Sequence, residues 1–217
     1  MKEMVENLKA ISLLFCFIVA FGAIALAPQV VPARDGGQIS PAEALSRYEK
    51  LLQATSEPHP RFYLTTKAAP TALAAGETKR AKTYALTLLQ QAATLQDNWN
   101  YGNAIHVGNL VLGLIALAAA DVPEAKRLLL EAGKSPGSPQ LDSFGPDMLL
   151  AKELLAKGEQ EVVIQYFDLC AKFWRLQEGQ LDAWKAVVIK GGIPDFRANL
   201  DYQLNPWRFE NWANLQS

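Results

Sequence analysis

Residues 103–174, NAIHVGNLVLGLIALAAADVPEAKRLLLEAGKSPGSPQLDSFGPDMLLAKELLAKGEQEVVIQYFDLCAKFW, carry one pattern twice: an apolar run at helical spacing, a short polar turn, and a second such run. Each unit predicts two antiparallel helices, and neither helix can bury its apolar stripe except against the other or against a neighbouring pair. A chain with two such units in tandem is held to an all-α fold. The first hairpin covers 103–119, turns at Ala120 and Asp121, and returns over 123–132. Asp121 supplies the side-chain oxygen an N-cap needs. Pro123 and Glu124 follow in the first turn, where a missing N–H is harmless and a negative charge meets the helix dipole. The second hairpin turns at Lys157, Gly158 and Glu159.

Small residues recur at matched places in the two units. Gly113 and Ala125 lie twelve positions apart, as do Ala151 and Val163, which puts one compact residue on each helix where an antiparallel pair crosses. Leu129 and Ala132 continue the inner stripe of the first unit, and Phe167 and Cys170 stand at the same offsets in the second. This arrangement resembles the tetratricopeptide repeat, whose pattern has small residues on the two facing helices, a large apolar residue four further on and a small one three after that. The 38-residue offset from Ala125 to Val163 exceeds the usual spacing of about 34, and the excess falls in the loop GKSPGSPQLDSFGPD. The run SPGSPQLDSFGPDMLLAKELLAKGE is also similar to bacterial repeat proteins of no assigned activity. The resemblance implies a short α-solenoid of TPR-like hairpins that holds a protein partner, and it implies no cofactor, no metal and no catalytic residue.

Residues 10–27, AISLLFCFIVAFGAIALA, carry no charge, and they follow a segment in which Lys2, Lys9 and the amino terminus outnumber Glu3 and Glu6. With residues 28–32 appended, the run approaches the roughly 20 residues that span a bilayer. It predicts a single-pass membrane anchor with the rest of the chain outside the cytoplasm, because the positive residues precede it. The alternative is an export signal cleaved at about Ala33, which would leave a periplasmic or secreted domain. The expected organisation is therefore an anchor or signal over 1–33, a polar linker over 34–39, a helical-repeat domain over 40–192 and an aromatic extension over 193–217.

Within the repeat domain, Ser40-Pro41-Ala42-Glu43 is a helix start with a capping box, and Ala44, Leu45, Tyr48, Leu51 and Leu52 follow at helical spacing. Residues 61–96 predict a degenerate first hairpin that turns at Gly76-Glu77, with Ala81, Ala85 and Leu88 on its second helix and Pro70 interrupting its first. Trp99 and Tyr101 sit in a connecting loop. Leu181, Trp184, Val188 and Ile189 make the apolar face of a closing helix that ends at Gly191-Gly192.

Two stretches are candidate partner contacts. The loop 133–146 holds three prolines and three glycines and is read as lacking secondary structure, but its Leu141 and Phe144 predict that it packs on the fold, with a contact surface as the alternative. The extension beyond Gly192 contains Phe196, Tyr202, Trp207, Phe209 and Trp212 with no clear period, so it either folds back on its own helices or docks on a partner through Trp207, Phe209 and Trp212.

Charge and residue chemistry narrow the function. A formal net charge of −1, with no basic run, gives no electrostatic basis for nucleic-acid binding. His106 and His59 have no ligand-spaced companion, and Cys16 and Cys170 cannot meet in one folded monomer. The expectation is a membrane-anchored protein–protein interaction scaffold or accessory subunit of a larger envelope or energy-transducing membrane complex, rather than an enzyme. The competing expectation is a soluble exported enzyme or small-molecule-binding protein whose site has no sequence signature.

Overall fold

In the computed structural model, residues 39–210 of the 217-residue chain are described. The expected anchor or signal over 1–33 and the contact candidate Trp212 lie outside them. The described residues form nine α-helices and two 3-10 turns, with no strand among them. The helices are α1 Pro41–Ala54, α2 Pro58–Ala74, α3 Thr78–Thr94, α4 Tyr101–Ala118, α5 Val122–Gly133, α6 Pro139–Phe144, α7 Leu149–Leu155, α8 Gln160–Cys170 and α9 Gln180–Ile189. Consecutive long helices pack on one another from α1 to α5, α8 packs on α5 and α7, and α9 closes the row against α8.

Local chemistry sets the helix starts. The Ser40 and Asp121 side chains accept the N–H groups of Glu43 and Glu124, as N-caps do. The loop after α5, expected to lack secondary structure, contains α6, because Ser138 caps it by accepting from Leu141 N–H and Pro139 takes the first helical position. Pro70 does not interrupt α2, which runs unbroken for 17 residues. Pro70 has no N–H to give the Thr66 carbonyl, and the helix holds through that turn because Thr65, Thr66, Ala68, Ala69, Thr71 and Ala72 around it are packed in the interior.

Three hairpin turns close in the same way. In each, one residue has a left-handed backbone, and the next N–H reaches back to the carbonyl five residues before it: Glu77 to Ala72, Asp121 to Ala116, and Glu159 to Leu154, at 2.9, 2.9 and 3.0 Å. Gly76 and Gly158 take that backbone without steric cost, whereas Ala120 takes it at φ 62°.

All eight residues of the proposed packing stripe lie in the core: Gly113, Ala125, Leu129, Ala132, Ala151, Val163, Phe167 and Cys170 are buried. The space that Gly113 leaves is not filled by Ala125. A Cβ there would stand 2.3 Å from Leu150 Cδ2 and 3.4 Å from Leu128 Cβ, so the glycine admits a leucine of α7 as well as the return helix. Helix α4 is long and apolar enough to cross a membrane by length and composition, but it is the central helix of the fold and most of it is buried.

Two stability changes of opposite sign are expected. Gly113→Leu should overpack the α4–α7 contact and destabilise the chain by roughly 1–3 kcal/mol. Ala120→Gly should stabilise it by about 1 kcal/mol, because the left-handed backbone costs alanine more than the added flexibility costs the unfolded chain. Thermal melts of the two variants check both signs.

Candidate functional site

The interior holds a connected set of polar side chains between α4, α5, the loop before α7 and the C-terminal extension. His106 of α4 is fully buried. Its Nδ1 lies 3.1 Å from the Ala132 carbonyl, and its Nε2 accepts the Asp147 N–H at 3.1 Å. These two contacts assign the neutral Nδ1–H tautomer. Burial pushes the imidazole down to about 4, and the ring stacks beside Tyr166 and Phe173. This histidine is a strut between two helices and a loop, with both nitrogens occupied.

Asp147 is the second member, and nothing in its local sequence marked it. It is fully buried, and the Tyr166 hydroxyl donates to its carbonyl at 2.9 Å. One carboxylate oxygen accepts from Leu149 N–H at 3.0 Å, and the other accepts from Gln203 and Leu204 N–H, both at 3.2 Å. Burial is the largest influence on this carboxyl and pushes it up to about 8, against the three N–H donors that pull it down and with Asp201 nearby adding to the rise. Tyr202 also feels this group, and its hydroxyl donates to the Gly145 carbonyl at 2.6 Å.

The extension beyond Gly192 is thus held by the loop that precedes α7. Phe196 is buried in a ring cluster with Trp184 and Phe167, at centroid distances of 5.0 and 6.3 Å. Asn199 donates to the Phe144 and Pro146 carbonyls at 2.7 and 3.0 Å and accepts Met148 N–H on its own carbonyl at 2.7 Å. Gln203 donates to Asn103 at 3.3 Å, and Asn103 continues through Asn100 to Thr66 on α2. Trp207 is buried in a 3-10 turn that packs on α2, and Glu210 pairs with Lys67 at 3.4 Å and stands beside Tyr48 of α1. The described part of the extension is therefore a strap that returns from α9 to α1.

Of the five candidate contacts, two are spent inside the chain. Leu141 is fully buried because α6 turns it into the core, and Trp207 is buried where the strap packs on α2. Phe144 and Phe209 are exposed, and Trp212 lies outside the described residues. Phe209 is 74% exposed. At the end of the fold where Glu210 meets Lys67, Tyr63 and Trp99 form an open ring pair with centroids 5.6 Å apart. Lys67, the partner of Glu210, stands 5.2 Å over the Tyr63 ring. Trp99 is 56% exposed, and its ring meets that of Tyr63 on α2. His59, with no visible partner in the sequence, meets Asn98 at 2.7 Å across the same end of the fold.

The chain matches no protein-family model, no curated protein and no solved structure. Chemistry must therefore be judged from the groups themselves. Among the described residues, no cluster of three or more His, Cys, Asp or Glu is placed to hold a metal. Cys170 is buried, and burial pushes its thiol up, away from the reactive thiolate. An open cleft of about 580 Å³ between α1, α2 and α3 is lined by Glu49, Arg61, Arg80 and Tyr84, but these groups are already committed. Glu49 takes Arg80 at 3.5 Å and Tyr84 at 3.0 Å, and Arg61 donates to the Leu52 and Thr55 carbonyls at the end of α1.

The buried pair His106 and Asp147 gives a pH signature. His106 sits below its unfolded value, so its contribution to stability is present above about pH 6.5 and is lost as pH falls towards 4. Asp147 sits above its unfolded value, so its contribution is present at low pH and is lost as pH rises towards 8. The two oppose one another below pH 6.5, and only Asp147 acts from there to pH 8. Stability should fall across that window by up to about 1.4 kcal/mol per pH unit, and Asp147→Asn should flatten the slope in urea titrations. Deletion from residue 205 onward, which removes the buried Trp207, should lower the melting temperature of the chain.

Proposed function

We propose that this chain is a protein–protein interaction scaffold, or an accessory subunit of a larger membrane complex. In this reading the uncharged run at residues 10–27 tethers it to the membrane, and its TPR-like hairpins stand on the non-cytoplasmic side. The observation that carries the reading is the open aromatic patch at one end of the fold. Tyr63 and Trp99 form a ring pair at 5.6 Å, and a rim of Lys67, over the Tyr63 ring, and its partner Glu210 supplies charge. Tyrosine and tryptophan in a cluster with a polar rim are the residue types that carry binding energy at protein interfaces. The inner surface, by contrast, is filled by the strap.

Binding rather than catalysis fits the committed state of the polar groups. His106 has both nitrogens occupied, Cys170 is sealed, and in the α1–α3 cleft Glu49 is taken by Arg80 and Tyr84 while Arg61 is spent on the carbonyls that end α1.

The test is co-purification of the full chain from detergent-solubilised membranes. A Tyr63→Ala, Trp99→Ala double variant should melt close to the parent, because both rings are exposed, yet recover its partner roughly 30-fold less well if the pair is a hot spot. Undiminished recovery would overturn the patch as the docking site. The tether is checked separately: the intact chain should resist carbonate extraction, and a mature amino terminus at Arg34 would instead leave a soluble exported domain.

A further inference from the structure

The outer face of α9 is the second surface without a covering element, and it has a symmetry of its own. Helix α9 packs on α8 through Leu181, Trp184 and Val188 and is then ended by Gly191 and Gly192, and no return α-helix follows it among the described residues. At about 100° per residue, the side opposite those three is centred on Ala186, with Asp182, Ala183, Ile189 and Lys190 within about 60° of that centre. All five of these residues are exposed. Ile189, expected in the apolar core face, is instead 66% exposed, and Val187 and Ile193 beside it are exposed as well. A terminal helix that merely closed the fold would turn a polar side to water.

The charges on this face are equally distinctive. Lys185, on the flank, is tied to Asp168 at 2.7 Å. Asp182 and Lys190 have no ion-pair partner among the described residues, and they lie four positions before and four positions after Ala186.

We infer that this face is a self-association surface, on which two copies of the chain pair their α9 helices antiparallel about a two-fold axis at Ala186. In that arrangement, residues equally far on either side of Ala186 face one another. Asp182 of each copy meets Lys190 of the other, and Ala183 of each copy meets the other's Ile189. A contact of this kind is isologous, so each favourable pairing occurs twice. The parallel alternative sets Asp182 against its own copy and is disfavoured by like charge. Alanines at the centre let the helix axes approach to about 8 Å, with the isoleucines closing the contact at its ends. The ion pairs sit at the rim, so they set orientation more than affinity and weaken with salt. This surface is separate from the Tyr63–Trp99 patch, and the inference does not rest on that patch binding anything.

The test uses the full chain in membranes, carrying Cys16→Ser so that the only native thiol left is the buried Cys170. With Ala186→Cys added, mild oxidation should give a disulfide-linked dimer, whereas Ala119→Cys, exposed at a hairpin turn, should not. In the Ala186→Cys background, Asp182→Lys alone or Lys190→Asp alone should cut the dimer about tenfold, since each creates two like-charge contacts. The two changes together should restore it. Cross-linking at Ala186→Cys no stronger than at Ala119→Cys would overturn the inference. So would a double reversal that behaves no better than the single ones.

Discussion

The fold depends on a loop of four residues, 145–148, being gripped from both sides. On one side His106 accepts the Asp147 N–H and Tyr166 donates to its carbonyl. On the other, the strap contributes Asn199, Tyr202 and the N–H groups of Gln203 and Leu204. A row of helices in which each packs mainly on its neighbours has stability that adds up along one dimension, and its ends fray first. The strap changes that arithmetic. It ties residues 100 positions apart, Gln203 to Asn103, and carries on to Lys67 on α2. The terminal helices α1 and α9 are thereby linked through contacts that neither makes with the other directly.

The grip is made of polar groups that are costly to bury, which explains its specificity. A carboxylate sealed from water destabilises unless its oxygens are met, and Asp147 has three backbone donors on its two oxygens. Two of those donors are successive N–H groups of an otherwise irregular segment, so only one register of the strap satisfies them. An apolar loop at 147 would have let the strap slide. The arrangement is not perfectly satisfied: Trp174 and Trp184 bury their ring N–H groups without an acceptor, and Gln203 buries its side-chain oxygen unpaired. The two indole losses fall inside the ring cluster, with Trp174 and Trp184 at 5.7 Å, so burial of their rings offsets them.

What the sequence could show followed the range of each interaction. Caps and turns act over three to five residues, and Ser40, Asp121, Gly76 and Gly158 were legible for that reason. The Gly113 gap was legible as a close approach, but not as a seat for Leu150, because a spacing rule names the helix pair and not the third helix that enters it. Pro70 was misread because a local rule, the missing N–H, was weighed without the burial that holds α2 together around it. The packing of Leu141 is legible from a large apolar side chain in a loop, but the six-residue helix that turns it inward is hidden by loop composition, its only signal being Ser138-Pro139. The strap was half legible. Its rings announced that they needed cover, but an Asp accepting from backbone 56 residues away leaves no trace in either segment.

The same reasoning separates the surfaces that remain. The strap covers the inner face with backbone hydrogen bonds, a buried carboxylate and a buried tryptophan, so a partner seeking that face must first displace all three. The exposed rings Tyr63 and Trp99 are reached without breaking anything, since Lys67 over the Tyr63 ring and Glu210 already satisfy one another. The outer face of α9 is likewise open, but its chemistry differs: small side chains and two unpaired opposite charges in place of aromatic rings. Aromatic anchors suit a pocketed partner, whereas a short flat helix with self-complementary charge suits its own copy. Among the described residues the fold thus spends its buried polar groups on fixing one conformation, and the Tyr63–Trp99 rings and the outer face of α9, on different elements, stay outside that network.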